Sequence, residues 1–203
     1  MALLTYTDLV AAVADWLMRD DLTARIPDFI AMGEDRLAKD VRVSDMETVA
    51  TSNLGGGSVA LPADFIEAVS IRNSAGYTGP LELISPQHAG EAYSSGSAGV
   101  PERYTIIGNT LTTYPNGGSG GVTMIYYAKP QALDLGNATN WLYAKSPRLY
   151  LYAALCESAP FLGDDARLQT WNALYQQALD TLHKSDERKR YASSVSRVVG
   201  YCP

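Results

Sequence analysis

Helical periodicity at both ends of the chain, separated by a long middle of different texture, is the feature that most limits its fold. In "TYTDLVAAVADWLMRDD", Leu9, Val13, Trp16 and Leu17 recur at helical spacing behind Thr5, with Asp8 three residues on as in a capping box. "RIPDFIAMGEDRLAKDVR" repeats the pattern, with Ile26, Phe29, Ile30, Gly33, Leu37 and Val41 on one face. Pro27 suits its first turn, where a missing N–H costs little. Gly33 lies on the apolar face although glycine costs about 1 kcal/mol relative to alanine there, which points to close approach of another helix.

From Met46 the texture changes to short strands and turns. "ETVATSNLGGGSVALPADFIEAVSIRN" reads as strand, glycine turn, strand, an "LPADF" corner and another strand. "GN" between "YTII" and "TLTTYP" signals a two-residue hairpin, and "NGGSGG" reads as a longer hairpin tip leading to "VTMIYYA". "SPQHAGEAY" has room for one or two helical turns. Frequent turns between short strands imply antiparallel sheet.

The helical pattern returns after "NATNW". Ser146 and Pro147 form a cap and first-turn pair for "RLYLYAALCESAPFLG", apolar nearly all round and therefore central. Pro160 and Gly163 mark its end, and Asp164 and Asp165 suit the positive start of the next helix. Leu168, Trp171, Tyr175, Ala178 and Leu182 carry an apolar stripe toward Tyr191. The expected class is α+β: a helical bundle from residues 1–45 and 131–190, an antiparallel β-rich insertion at 46–130, and an extended tail at 191–203.

With 203 residues, 46% of them hydrophobic, the chain can bury a sizeable core without disulfide staples. Its two cysteines agree: Cys156 falls in an apolar helical run and is expected to be buried, while Cys202 is a tail thiol. The first helix carries Asp8 and Asp15 and lacks a basic leader, and no apolar run approaches the roughly 20 residues of a membrane helix. The expectation is a chain made and used in water, in a cytoplasm, with no membrane partner. The formal charge of −6 argues against a protein that wraps nucleic acid by neutralising phosphates. From His183 onward, five bases stand against two acids, a balance of +3, which leaves −9 for the rest.

Candidate chemistry is sparse. His88 sits in a short turn and His183 near a helix end, where a cation is favoured; both read as surface residues. The acidic pairs Asp20–Asp21, Glu34–Asp35 and Asp164–Asp165 fall at helix ends or on helix faces, as caps and solvated charge. "NGGSGG" lacks the Lys-Ser/Thr of a phosphate loop. No nucleophile motif and no Cys/His metal spacing is present, so neither catalytic residue nor cofactor is expected. The thirteen tyrosines, several in "IYY" and "RLYLYAAL", suit interfaces as well as half-buried sheet positions.

Specific phrases then add up. "YTDLVAAVADWLMRDDLTARIPDFIAMGEDRLAKDVR", "LPADFIEAVSIR", "PERYTIIGNTLTTYP", "VTMIYYAKPQALDLGNATNWL", "SPRLYLYAALCESAPFLGDDARLQTWNALYQQAL" and "SDERKRY" resemble, in this order, bacteriophage head-to-tail adaptor proteins of the podovirus type. The resemblance covers about Tyr6 to Tyr191. It implies a ring-forming structural virion protein, typically dodecameric, located beneath the portal and above the tail nozzle, with helices toward the portal and the β-rich part toward the tail. DNA would pass its channel without sequence-specific binding, and an acidic body suits such passage. By position alone, the tail "YASSVSRVVGYCP" becomes a portal-docking arm, with Val195, Val198, Val199 and Tyr201 as anchors and Arg197 as a charged contact. Packing of that tail on its own subunit is the alternative. Competing functions are a tail nozzle or completion component, and a small hydrolase using His88 or an acidic pair.

Overall fold

In the computed structural model, residues 3–19, 21–74, 79–93, 99–115, 120–163 and 165–192 are described. The chain adopts the α+β class, and it divides into two units, residues 1–44 with 130–203 and residues 45–129. The first helix, α1 (Tyr6–Leu17), starts at Thr5. The Thr5 hydroxyl accepts from the Asp8 N–H at 3.3 Å, while Asp8 Oδ2 accepts from the Thr5 N–H at 2.9 Å, a reciprocal capping box. Leu9, Val13 and Leu17 are buried as the periodicity requires. Trp16 is not: it remains 43% exposed, its ring edge-on to Tyr152 at 5.8 Å.

Helix α2 (Ile26–Asp40) carries Pro27 in its first turn and buries Ile26, Phe29, Ile30, Gly33 and Leu37. It packs on α5 (Pro147–Leu162), the central helix, which also touches α1, the short α4 (Trp141–Lys145) and α6 (Asp165–Tyr191). The reason for Gly33 is steric. A Cβ there would lie 3.1 Å from the Ala154 nitrogen and 3.2 Å from Ala153. Helix α5 buries residues all round, from Leu149 to Ala159. Pro160 does not end it: the helix runs two residues further, to Leu162, and stops at Gly163 in the left-handed region. Ser146 precedes α5 without a side-chain cap bond, whereas Asn140 caps the unforeseen α4 through its Oδ1, accepting from the Tyr143 N–H at 2.8 Å.

Residues 130–140 are irregular but tied down. Glu34 Oε1 accepts from the Leu133 N–H at 2.8 Å, and the Tyr6 N–H donates to the Ala138 carbonyl at 2.8 Å. The Tyr143 hydroxyl donates to the Thr5 carbonyl at 3.1 Å. Burial, with the Asp8 charge adding, pushes the Tyr143 phenol up to about 12, so it stays a donor near neutrality. A polar cluster joins three helices. The Arg36 guanidinium bonds Asn172 Oδ1 at 2.8 Å, lies 3.4 Å from Glu157 Oε1, and covers the Tyr175 ring at 4.4 Å. The Tyr175 hydroxyl in turn donates to Asp40 Oδ2 at 2.7 Å, and burial followed by that bond raises its pKa.

The other unit holds two sheets. One has the order β1 (Glu47–Asn53), β7 (Gly121–Ala128), β3 (Phe65–Asn73), antiparallel throughout. The second runs β2 (Ser58–Ala60), β6 (Thr110–Tyr114), β5 (Arg103–Ile107), β4 (Glu82–Leu83). Leu61, Ile71, Leu111, Val122, Met124 and Tyr126 form its core. The "GN" hairpin is present between β5 and β6, with Gly108 at φ 58° in the first loop position. Antiparallel pairing fails at one place: β4 and β5 are parallel, because the chain between them crosses over through α3 (Pro86–Ala92). The "NGGSGG" link is also no hairpin tip. Residues 116–119 lie outside the described residues, but β6 and β7 belong to different sheets, so the connection changes sheet.

Replacing Gly33 by leucine forces side-chain volume against α5 backbone, which cannot retreat as a flexible side chain could. Urea denaturation should show a loss of about 1–3 kcal/mol; wild-type stability would refute the close contact.

Candidate interaction surfaces

The end of α6 is built around a buried acid. The apolar stripe of Trp171, Tyr175 and Leu182 continues to Asp186, which is 5% exposed. Its Oδ1 accepts from the N–H of Ser44 at 3.0 Å and from the Ser44 hydroxyl in a short bond, and its Oδ2 accepts from Arg190 Nε at 3.0 Å. Burial alone would raise the carboxyl pKa, but the bonds from Ser44 and Arg190 prevail and hold it below the usual range. In the sequence, Asp186 enters only as one of the two acids counted from His183 onward. The signal was available, since the position falls one step further along the same stripe.

The other titratable candidates do not converge. His88 lies in the first turn of α3, exposed, and its backbone N–H donates to Ser85 Oγ at 3.2 Å. His183 is half-buried, with Nε2 enclosed and unpartnered among the described residues, so it is not the solvated helix residue expected. Of the acidic pairs, Asp20 and Asp164 lie outside the described residues. Asp21 forms a bidentate pair with Arg19 at 2.7 Å, and Glu34 holds the 130–140 segment. No group of three His, Cys, Asp or Glu side chains suited to a metal occurs among the described residues. Cys156 is buried, and burial pushes its thiol pKa up despite the nearby Arg36 guanidinium. Cys202 lies outside the described residues.

The accessible features are surfaces. A groove of about 400 Å³ opens between the α4–α5 junction and the middle of α6, lined by Lys145, Arg148, Tyr152, Leu174 and Ala178 among others. Tyr152 also carries the Trp16 ring on the α1 side. Met18, just past α1, is 87% exposed in the left-handed region at φ 53°. Phe161 and Met32 are further exposed apolar residues of the helical unit. The tail residues Val195, Arg197, Val198, Val199 and Tyr201 lie outside the described residues, so the structure neither brings them together nor separates them. No described helix is long and apolar enough to cross a membrane.

Among the described residues, the accessible features are thus a groove and exposed apolar side chains, while many carboxylates are engaged in caps and interhelical bonds. Over residues 4–198 the chain matches the family of the SU10 adaptor protein, and it belongs to that family. It is therefore a bacteriophage structural adaptor and a virion component. No curated protein matches the chain.

Replacing Asp186 by alanine removes three bonds and leaves the Ser44 donors unmet, at an expected cost of about 2–4 kcal/mol. The sign with pH is fixed by the depressed pKa. The stabilisation is complete above the ordinary carboxylate range and disappears as pH falls through the lower folded value. Thermal unfolding across pH 2–7 should thus show a shallower acid limb for Asp186→Ala than for wild type. Parallel limbs would remove Asp186 from the account.

Proposed function

We propose that this adaptor assembles as a dodecameric ring between the portal and the tail nozzle, and that the phage genome passes its channel during ejection without sequence-specific contact. The observation that carries this reading is the family match along nearly the whole chain, taken with the ring architecture that the resemblance to podovirus-type adaptors implies. A ring subunit needs two different lateral faces as well as upper and lower docking surfaces. The groove at Tyr152 and the separate apolar residues Met32 and Phe161 supply material for such contacts. The net charge of −6 supports passage, because a channel that neutralised phosphates would retain the DNA. No catalytic residue is assigned: the subunit acts as a spacer and seal in the virion, having assembled in the host cytoplasm.

In this reading residues 191–203 form the arm that docks on the portal. Val195, Val198, Val199 and Tyr201 enter apolar pockets and Arg197 meets an acidic surface. Association carries an entropic cost, so in this reading the apolar anchors must carry the affinity.

The test is reconstitution of the purified chain with purified portal and, separately, with nozzle protein, followed by electron microscopy and sedimentation. A ring with an open channel attached to portal is the expected result. Attachment to nozzle alone would place the protein lower in the tail, and a monomer inert toward both would overturn the reading. Truncation after Tyr191 should leave far-ultraviolet circular dichroism unchanged and abolish portal attachment; undiminished attachment would remove the arm.

A further inference from the structure

Helix α5 presents unlike surfaces on opposite sides. Arg148 and Tyr152, one turn apart, border the groove of about 400 Å³ whose other wall carries Leu174 and Ala178 of α6. Nine residues make two and a half helical turns, so Glu157 and Phe161 project on the side away from Arg148 and Tyr152. That is the side of α2: Glu157 lies 3.4 Å from Arg36, and the Phe161 ring is 5.6 Å from that of Phe29. Groove and α2 therefore flank α5 on opposite sides, all within the helical unit.

Helix α2 in turn buries Ile26, Phe29, Ile30, Gly33 and Leu37 against its unit and leaves Asp28, Met32 and Asp35 on its outer face. Met32 is 50% exposed and Phe161 60%. Phe161 rests on Phe29, and Met32 follows Phe29 by about one turn, so the two form an apolar ridge. Gly33 sets the level of this ridge. Its contact with the Ala153–Ala154 backbone puts Met32 within about 4 Å of Tyr152 along the axis of α5.

The two surfaces differ in the sign of their charge. Asp28 and Asp35 stand four and three residues from Met32, whereas the charged residues lining the groove are Lys145 and Arg148. Asp28 already meets Arg25 at 3.6 Å, and Asp35 and Lys145 have interactions of their own. They set the sign of each surface and are not vacant partners. Lys39 comes one turn beyond Asp35, away from Met32. Interfaces concentrate methionine, aromatic residues and arginine, and ridge and groove supply Met32, Phe161, Tyr152 and Arg148.

We propose that the Met32–Phe161 ridge of one subunit seats in the Tyr152 groove of the next, and that this head-to-tail contact is the lateral joint of the ring. The joint belongs to the ring reading above and rests on it. Its occupant is a second copy because one chain carries both halves on opposite sides of α5, where it cannot join them itself. Each added copy leaves one ridge and one groove open until rotation closes the ring. Their common level along α5 suits closure, since a rise at every step would give a filament. A two-fold pair would instead set groove against groove and bring the Arg148 side chains together, like charges that repel.

Cysteine cross-linking of the full-length chain, with purified portal present, tests the joint. A Cys202→Ser background leaves only the buried Cys156. On it, Met32→Cys and Thr181→Cys, the latter in the groove, are made singly and together and treated with a short bis-maleimide. The double variant should give a ladder of covalent oligomers, an equal mixture of the single variants only dimers, and each single variant alone monomers. Dimers from Thr181→Cys alone would overturn the head-to-tail contact. A ring seen by electron microscopy without cross-links would overturn the joint and leave the ring reading intact. A ladder arising from open filaments would end the ring reading and leave the contact, and neither assembly nor cross-links would end both. Arg148→Glu should weaken self-association by at least about ten-fold in sedimentation, with Arg148→Lys close to wild type and the far-ultraviolet circular dichroism of both unchanged. Wild-type association of Arg148→Glu would overturn the charge match.

Discussion

The contact between Gly33 and the Ala153–Ala154 backbone sets how near α2 comes to α5, and the helical unit depends on that distance. With α2 this close, Arg36 reaches Glu157 on α5 and Asn172 on α6 at the same time. A larger side chain at position 33 would press on the α5 backbone and lengthen these contacts, of which the one to Glu157 is already 3.4 Å. The apolar contact and the polar cluster are therefore one arrangement. The missing side chain permits the approach, and the approach allows a guanidinium to link three helices.

The acids follow a similar logic. Asp8 caps α1, Asp64 accepts from the Tyr126 hydroxyl at the corner before β3, Glu34 holds residue 133, and Asp186 holds Ser44. Each carboxylate is satisfied by backbone or hydroxyl donors and so stabilises a connection between elements. Catalytic carboxylates need a different setting, with environments that push paired pKa values apart across a shared cavity. Here the acids define boundaries of elements.

Much of this was legible in the sequence. The capping box at Thr5, the role of Gly33, the centrality of α5 and the "GN" turn follow from local chemistry, where neighbouring residues decide the outcome. The failures share a cause too. Trp16 sits at helical spacing yet remains partly open to solvent, with its ring edge-on to Tyr152. Pro160 does not itself stop α5, which runs on to Leu162 and ends at Gly163, the other residue expected to mark its end. The β6–β7 link changes sheet, and β4 pairs parallel to β5; both are properties of topology that a turn signal cannot encode. The role of Asp186 was hidden because its partner Ser44 lies far away in sequence. The arm residues remain a matter of position in the chain.

Helix α6 shows how these local devices produce an adaptor. It is held near its start by Arg36 and Asp40, through Asn172 and Tyr175, and near its end by Ser44 through Asp186. Tyr175 and Asp186 are about 16 Å apart along a helix, with Leu179 and Leu182 buried between them. A helix held at two such points is fastened to the rest of its unit along most of its length. Ser44, fixed by the same carboxylate, is the last residue before the chain enters the strand-rich unit. One buried acid thus ties the end of α6 to the last residue of the unit's first segment.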